Sequence, residues 1–213
     1  MIKAIIFDFD GVIVESVDIK TKAFARLFED RGPVFMKRVT DYHLSNTGVS
    51  RFDKFRHIYK EMLGEELDEA TFNGLCERFS KLVTDDVVQA PYVEGALDFL
   101  KYNSGTYGFY VISATPQEEI DRIVKRRGLN GYFKKVYGSP VTKEAALKKV
   151  MEAEGLKPLE VVFIGDAMSD CRAAKANQAH FIARINQPKG LFDGTDCVKI
   201  KNLKRLDRAI AEL

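Results

Sequence analysis

One unit recurs along this chain and narrows its fold more than any other feature: a short apolar run that breaks into a polar loop and is followed by helical spacing. Residues 2–7 form an isoleucine-rich run ending in Asp8-Phe9-Asp10-Gly11, residues 107–112 run into Ser113-Ala114-Thr115-Pro116, and residues 161–164 run into Gly165-Asp166. Apolar runs of this length bounded by such loops read as buried strands. Residues 116–127 open with proline and acids, close on Lys125-Arg126-Arg127 and stop at Gly128, the start, dipole and stop signals of a helix. Residues 143–154, ended by Gly155, make a second helix. Strand-like pieces at 133–137 and 180–185 complete an alternation that predicts an α/β fold, a parallel sheet with helices on both faces.

Residues 16–90 interrupt that alternation and read as consecutive helices. Ile19, Ala23 and Leu27 share one helical face with Phe24 and Phe28 beside them; Phe55, Ile58, Tyr59 and Met62 repeat the pattern, as do Phe72, Leu75, Phe79 and Val83. The expected organisation is an α/β core of residues 1–15 and 91–213 with a helical unit, 16–90, inserted after the first strand. Its aromatic stripes have the period of packing surfaces rather than of a base-stacking platform. With 33 basic and 31 acidic residues the net charge is +2, so no bulk field draws nucleic acid or a membrane surface. Cys76, Cys171 and Cys197 are widely spaced and form no C-x-x-C pair, which supports neither a disulfide framework nor a zinc knuckle. An acid interrupts the first apolar run, and no stretch approaches the roughly 18 apolar residues of a spanning helix. The expectation is a cytoplasmic protein that is not exported.

Asp8 and Asp10 stand two apart at a strand end, where alternation can point both carboxylates one way and Phe9 into packing. Two acids at one mouth invite a cation, and Gly11 lets the backbone turn sharply; the same residues also make ordinary turns. Gly165-Asp166-Ala-Met-Ser-Asp170 lies at another strand end. In a parallel sheet both clusters reach the same carboxyl edge, where open α/β sheets bind ligands. Ser113, with the amides around Ala114, can hold phosphate oxygens or cap the following helix. Lys143 can supply a fixed positive charge.

In order, Asp8-Phe-Asp10-Gly11-Val12, Ser113-Ala114, Lys143 and Gly165-Asp166-x-x-x-Asp170 resemble the four motifs of the haloacid dehalogenase superfamily. The resemblance spans essentially the whole chain. A helical insertion directly after the first motif is similar to the small cap of the phosphoglycolate phosphatase and β-phosphoglucomutase branch, on a Rossmann-like core. It implies that Asp8 is a nucleophile toward phosphorus and Asp10 an acid/base that first protonates the leaving oxygen and then activates water. It further implies Mg²⁺ between the Asp8 carboxylate, the Asp10 carbonyl and the Asp166 carboxylate, with Asp170 supporting that shell, and a small phosphorylated metabolite as the partner. Three ionised aspartates and a phosphate of about −2 repel one another unless Mg²⁺ and Lys143 intervene. The family often carries Lys-Pro at the lysine motif, whereas Lys143-Glu144 stands here, so Lys148 and Lys149 remain alternatives. Asp170 also reads as a helix-start residue.

Two residues of the insertion bear on selection. Gly48-Val49-Ser50-Arg51 resembles a cap sequence of the β-phosphoglucomutase branch in which the arginine grips a distal phosphate, while Ser50-x-x-Asp53 is equally a capping box. Lys20 occupies the place where the mutases usually present histidine, which favours a phosphatase over a phosphomutase. His43, His57 and His180 are too scattered for a metal trio. Hydrolysis of a sugar phosphate or phosphoglycolate is the expected activity. A phosphomutase and a non-catalytic metabolite sensor are the alternatives.

Overall fold

The computed structural model describes residues 1–186 and 190–213. Six parallel strands form one sheet: β1 (Ala4–Phe7), β2 (Gly108–Pro116), β3 (Lys135–Ser139), β4 (Val161–Gly165), β5 (His180–Arg184) and β6 (Val198–Ile200), in the order β3-β2-β1-β4-β5-β6. The direction of winding reverses between β1 and β4, so the sheet opens a crevice at their carboxyl ends. Alternation along the central strands divides their side chains between two cores. Ile5, Phe7, Val162 and Ile164 join one apolar cluster, and Ala4, Ile6, Val161 and Phe163 join the other. This is why the strands read as continuous apolar runs rather than as half-polar ones.

Helices α5 (Ala96–Asn103), α6 (Gln117–Arg126) and α9 (Leu206–Ala211) pack on the first face, and α7 (Lys143–Glu154) and α8 (Met168–Ala176) on the second. Thr142 caps α7, its hydroxyl accepting from the Ala145 amide at 3.2 Å. That cap fixes where Lys143 enters the structure. Between β1 and β2, α1 (Val17–Leu27), α2 (Pro33–Ser45), α3 (Arg51–His57) and α4 (Glu69–Gln89) precede α5. A π-helical turn, Ile58–Leu63, prolongs α3. Phe24, Phe55 and Phe79 meet inside this helical layer, with ring centroids 4.5 to 6.1 Å apart. Their cluster is continuous with the first face of the sheet.

The chain leaves the sheet and returns to it at one place. The Glu15 amide donates to the Pro91 carbonyl at 2.9 Å and the Val93 amide to the Ile13 carbonyl at 3.0 Å. The parallel sheet, its two helical faces and the helical layer after β1 agree with the sequence reading. Two details differ. β2 runs on to Pro116, which places Ser113 and Ala114 in the strand rather than in a loop. β6 is additional; its three residues are half-buried or exposed, so no apolar run marks them.

Candidate active site

Four strand ends deliver the polar side chains. Asp8 follows β1, its amide donating to the Ile164 carbonyl at 2.9 Å, which locks it beside the end of β4. Gly11, immediately after Asp10, has φ +74°, and a Cβ there would lie 2.1 Å from Asp166 Oδ2. Only glycine allows this close approach of loop to carboxylate. Asp166 follows β4 and accepts from Asn186 Nδ2, just beyond β5, at 2.5 Å. Asp170 opens α8, fully buried, where one oxygen accepts from the Ala167 amide at 3.0 Å. Lys143 Nζ donates to Asp8 Oδ2 and to Asp170 Oδ1, each at 2.6 Å. Lys148 and Lys149 are exposed on α7 and do not reach the acids. Ser113 is buried with its hydroxyl accepting from the Thr115 amide at 3.1 Å, and Ala114 lines the adjoining cavity.

The acids carry more negative charge than Lys143 offsets. Burial pushes Asp8 up to about 7; Lys143 pulls it down, while Asp170 and Asp10 repel its ionised form. Asp166 is pushed well above the usual carboxylate range, first by burial and then by Asp8 and Asp170. Burial acts to lower Lys143, but Asp170 and Asp8 hold its ammonium above the ordinary lysine value. Oxygens of Asp8, Asp166 and Asp170 lie within 4.8 Å of one another. A buried, all-oxygen, underneutralised donor set of this size fits a hard divalent cation.

Asp10 faces elsewhere. Its carboxylate accepts from Ser16 Oγ at 2.6 Å, from Thr115 Oγ1 at 3.1 Å and from Lys20 Nζ, which also donates to Thr115 Oγ1 at 2.7 Å. Burial raises its pKa, but Lys20 and these hydroxyls outweigh burial and hold it below the ordinary aspartate value. Asp8, Asp10, Lys20, Arg51 and Ala114 line one cavity of about 40 Å³. Ser113 and Lys143 line a second, of about 320 Å³, together with Arg56 and Arg172.

Arg51 is drawn into the protein rather than left free for a ligand. Its guanidinium donates to Ser80 Oγ at 2.7 Å and to Glu119 on α6, and stacks 4.4 Å over the Phe79 ring. Ser50 does cap α3, accepting from the Asp53 amide at 3.2 Å. The sequence reading did not single out Thr115, Asn186, Lys54 or Glu119, and it set His43 aside as one of three scattered histidines. Thr115 and Asn186 were within reach of strand logic, one sharing a face of β2 with Ser113 and the other ending β5 beside β4. Lys54 shares a helical face with Arg51, which is a weaker signal.

A family model described as haloacid dehalogenase-like hydrolase matches residues 5–184. Phosphoglycolate phosphatase 1 of Pseudomonas aeruginosa is 26% identical over 183 residues, covering 82% of this chain and 66% of the relative. A phosphorylated carbohydrates phosphatase of Thermotoga maritima is 25% identical over 179 residues, covering 82% and 81%. Among solved structures, a hydrolase from Pseudomonas syringae superposes with a TM-score of 0.81 at 17% identity over 99% of both chains.

Proposed function

Because the chain belongs to the haloacid dehalogenase-like hydrolase family, we propose that it is a Mg²⁺-dependent phosphatase acting on a small phosphate monoester of the sugar phosphate or phosphoglycolate type. The names of the curated relatives support the substrate class. The observation that carries the mechanism is the separation of roles between two carboxylates lining one cavity. Asp8 sits among acids and an ammonium, and Asp10 sits among hydroxyls and Lys20.

Asp8, Asp166 and the Asp10 backbone carbonyl would hold the cation, with Asp170, whose oxygens accept from Lys143 and the Ala167 amide, supporting that shell. When bound the cation would neutralise their charge and that of the phosphate oxygens. Asp8 attacks phosphorus in line as the ester P–O bond breaks, and Asp10, ionised beside Lys20 at rest, passes a proton from the Lys20 ammonium to the departing oxygen. Asp10 then takes a proton from water, whose oxygen attacks phosphorus, frees Asp8 and yields inorganic phosphate. Lys143 and the amides around Ser113 and Ala114 hold the equatorial oxygens through both displacements.

Residues 16–90 act as one cap over the core of 1–15 and 91–213, the two hydrogen-bonded connecting segments at Glu15 and Pro91 serving as its hinge. Lys20, Phe24, His43, Arg51 and Lys54 of the helical layer line the cavity that holds Asp8 and Asp10, so lifting of the cap would widen the way in for substrate. Among the described residues no helix is long and apolar enough to cross a membrane.

The test is phosphate release from p-nitrophenyl phosphate, phosphoglycolate and sugar phosphates. Asp8→Asn is expected to lower release by at least about 10³-fold, and chelation to abolish it reversibly. Undiminished release from either preparation would refute the mechanism.

A further inference from the structure

Three cap cations, Lys20, Arg51 and Lys54, line the cavity that holds Asp8 and Asp10. Two are already matched. Lys20 pairs with Asp10, and Arg51 pairs with Glu119 and Ser80. Lys54 is not: it is 1% exposed, yet among the described residues no carboxylate lies within ion-pair distance of it. Its Nζ is 2.9 Å from His43 Nδ1 and 5.2 Å from the centre of the Phe24 ring. An ammonium donating to Nδ1 leaves the proton of the neutral imidazole on Nε2. His43 is 3% exposed, and its Nε2 has no hydrogen-bond partner among the described residues.

Two buried donors beside one cavity are therefore unspent. An ammonium taken out of water without a countercharge is destabilising, and burial here pushes Lys54 well below the ordinary lysine value, with Lys20 and Lys143 adding repulsion. A purely structural side chain at this place would be better as methionine. An arriving anion supplies what the site lacks.

We propose that Lys54, positioned by His43, recognises a second anionic group on the substrate, so that the favoured esters are short phosphate monoesters bearing a carboxylate. The restriction to short esters follows from Lys54 lining the same cavity as Asp8 and Asp10, so the second anion must sit close to the phosphorus. The assignment moves distal-anion recognition from Arg51, whose fork is occupied, to a residue three positions along the same helix. It rests on reading the site as one for phosphate esters, and the experiment separates the two.

Calorimetry on the Asp8→Asn protein with Mg²⁺ compares 2-phosphoglycolate with ethyl phosphate, which lacks the carboxylate. The expected preference for phosphoglycolate is about 10- to 100-fold, the range of one buried charge-assisted hydrogen bond. Adding Lys54→Met should bring the ratio of affinities close to one. Adding Lys54→Gln, which keeps a donor without the charge, should do the same should the methionine variant fail to fold. An undiminished ratio in a folded variant, an equal loss for both ligands, or no binding of either ligand by the Asp8→Asn protein would overturn the proposal. Phosphate release by the unmodified enzyme is measured separately. Its absence alongside the expected ratios would refute hydrolysis and leave the anion site standing.

Discussion

Gly11 has φ +74°, and a Cβ there would lie 2.1 Å from Asp166 Oδ2 and 2.8 Å from Asn186 Nδ2. Gly11→Ala must therefore strain the backbone and push Asp166 from its place at once. We expect Mg²⁺ affinity to fall by about 10- to 100-fold, the usual range for disturbing a ligand's support, read by titration calorimetry. Lys20 gives a second prediction. Burial favours protonated Asp10 and Lys20 opposes it, so Lys20→Met should raise the Asp10 pKa. Water activation needs the ionised form, so the acid limb of the kcat–pH profile should move to higher pH. An unmoved limb would show that Lys20 does not govern Asp10. The aspartates were legible in the sequence because each directly follows a strand or opens a helix, so local pattern alone sets its place. Lys54, His43 and Glu119 owe their roles to contacts between elements more than ten residues apart, which no local spacing encodes.

α2 brings His43 into the middle of the helical layer, against the Phe24 ring on α1 and Lys54 on α3. Burial, then the charges of Lys54 and Lys20, push its imidazole from 6.5 down to about 2. Above 6.5 folded and unfolded chains are both neutral at this residue, so its contribution to stability is complete. As pH falls below that value the unfolded chain gains a proton that the folded one refuses, and stability declines until the folded pKa is reached. Between pH 7 and 5, urea unfolding of the unmodified protein should therefore lose about 2 kcal/mol more than that of His43→Gln. Equal losses would contradict a neutral buried His43. The helices themselves were legible wherever an apolar stripe ran unbroken, as in α4, with Leu75, Phe79 and Val83 buried on one side. The π-helical turn after α3 was not, because its side chains continue the same stripe with a different hydrogen-bond step. Nor was β6, an edge strand whose Lys199 faces solvent.

For the whole molecule, sequence sufficed to place the acidic motifs along one sheet edge, since parallel strands ending in polar loops leave them nowhere else to meet. It did not reveal how tightly the helical layer shuts on that edge, which depends on matches such as Arg51 with Glu119 across the two parts. If substrate enters by lifting of that layer, Mg²⁺ with orthovanadate should slow amide hydrogen exchange in α1 and α3 and leave α9 unchanged. Equal protection in α1, α3 and α9, or none in α1 and α3, would argue against cap closure. The hydrogen bonds joining Glu15 to Pro91 and Val93 to Ile13 carry a last consequence. Departure and return are neighbours, so another bundle could be spliced between them without reordering a single strand, provided it offers apolar side chains to the same face. Selection can thus revise what the enzyme admits while inheriting, unrevised, the means of cutting it.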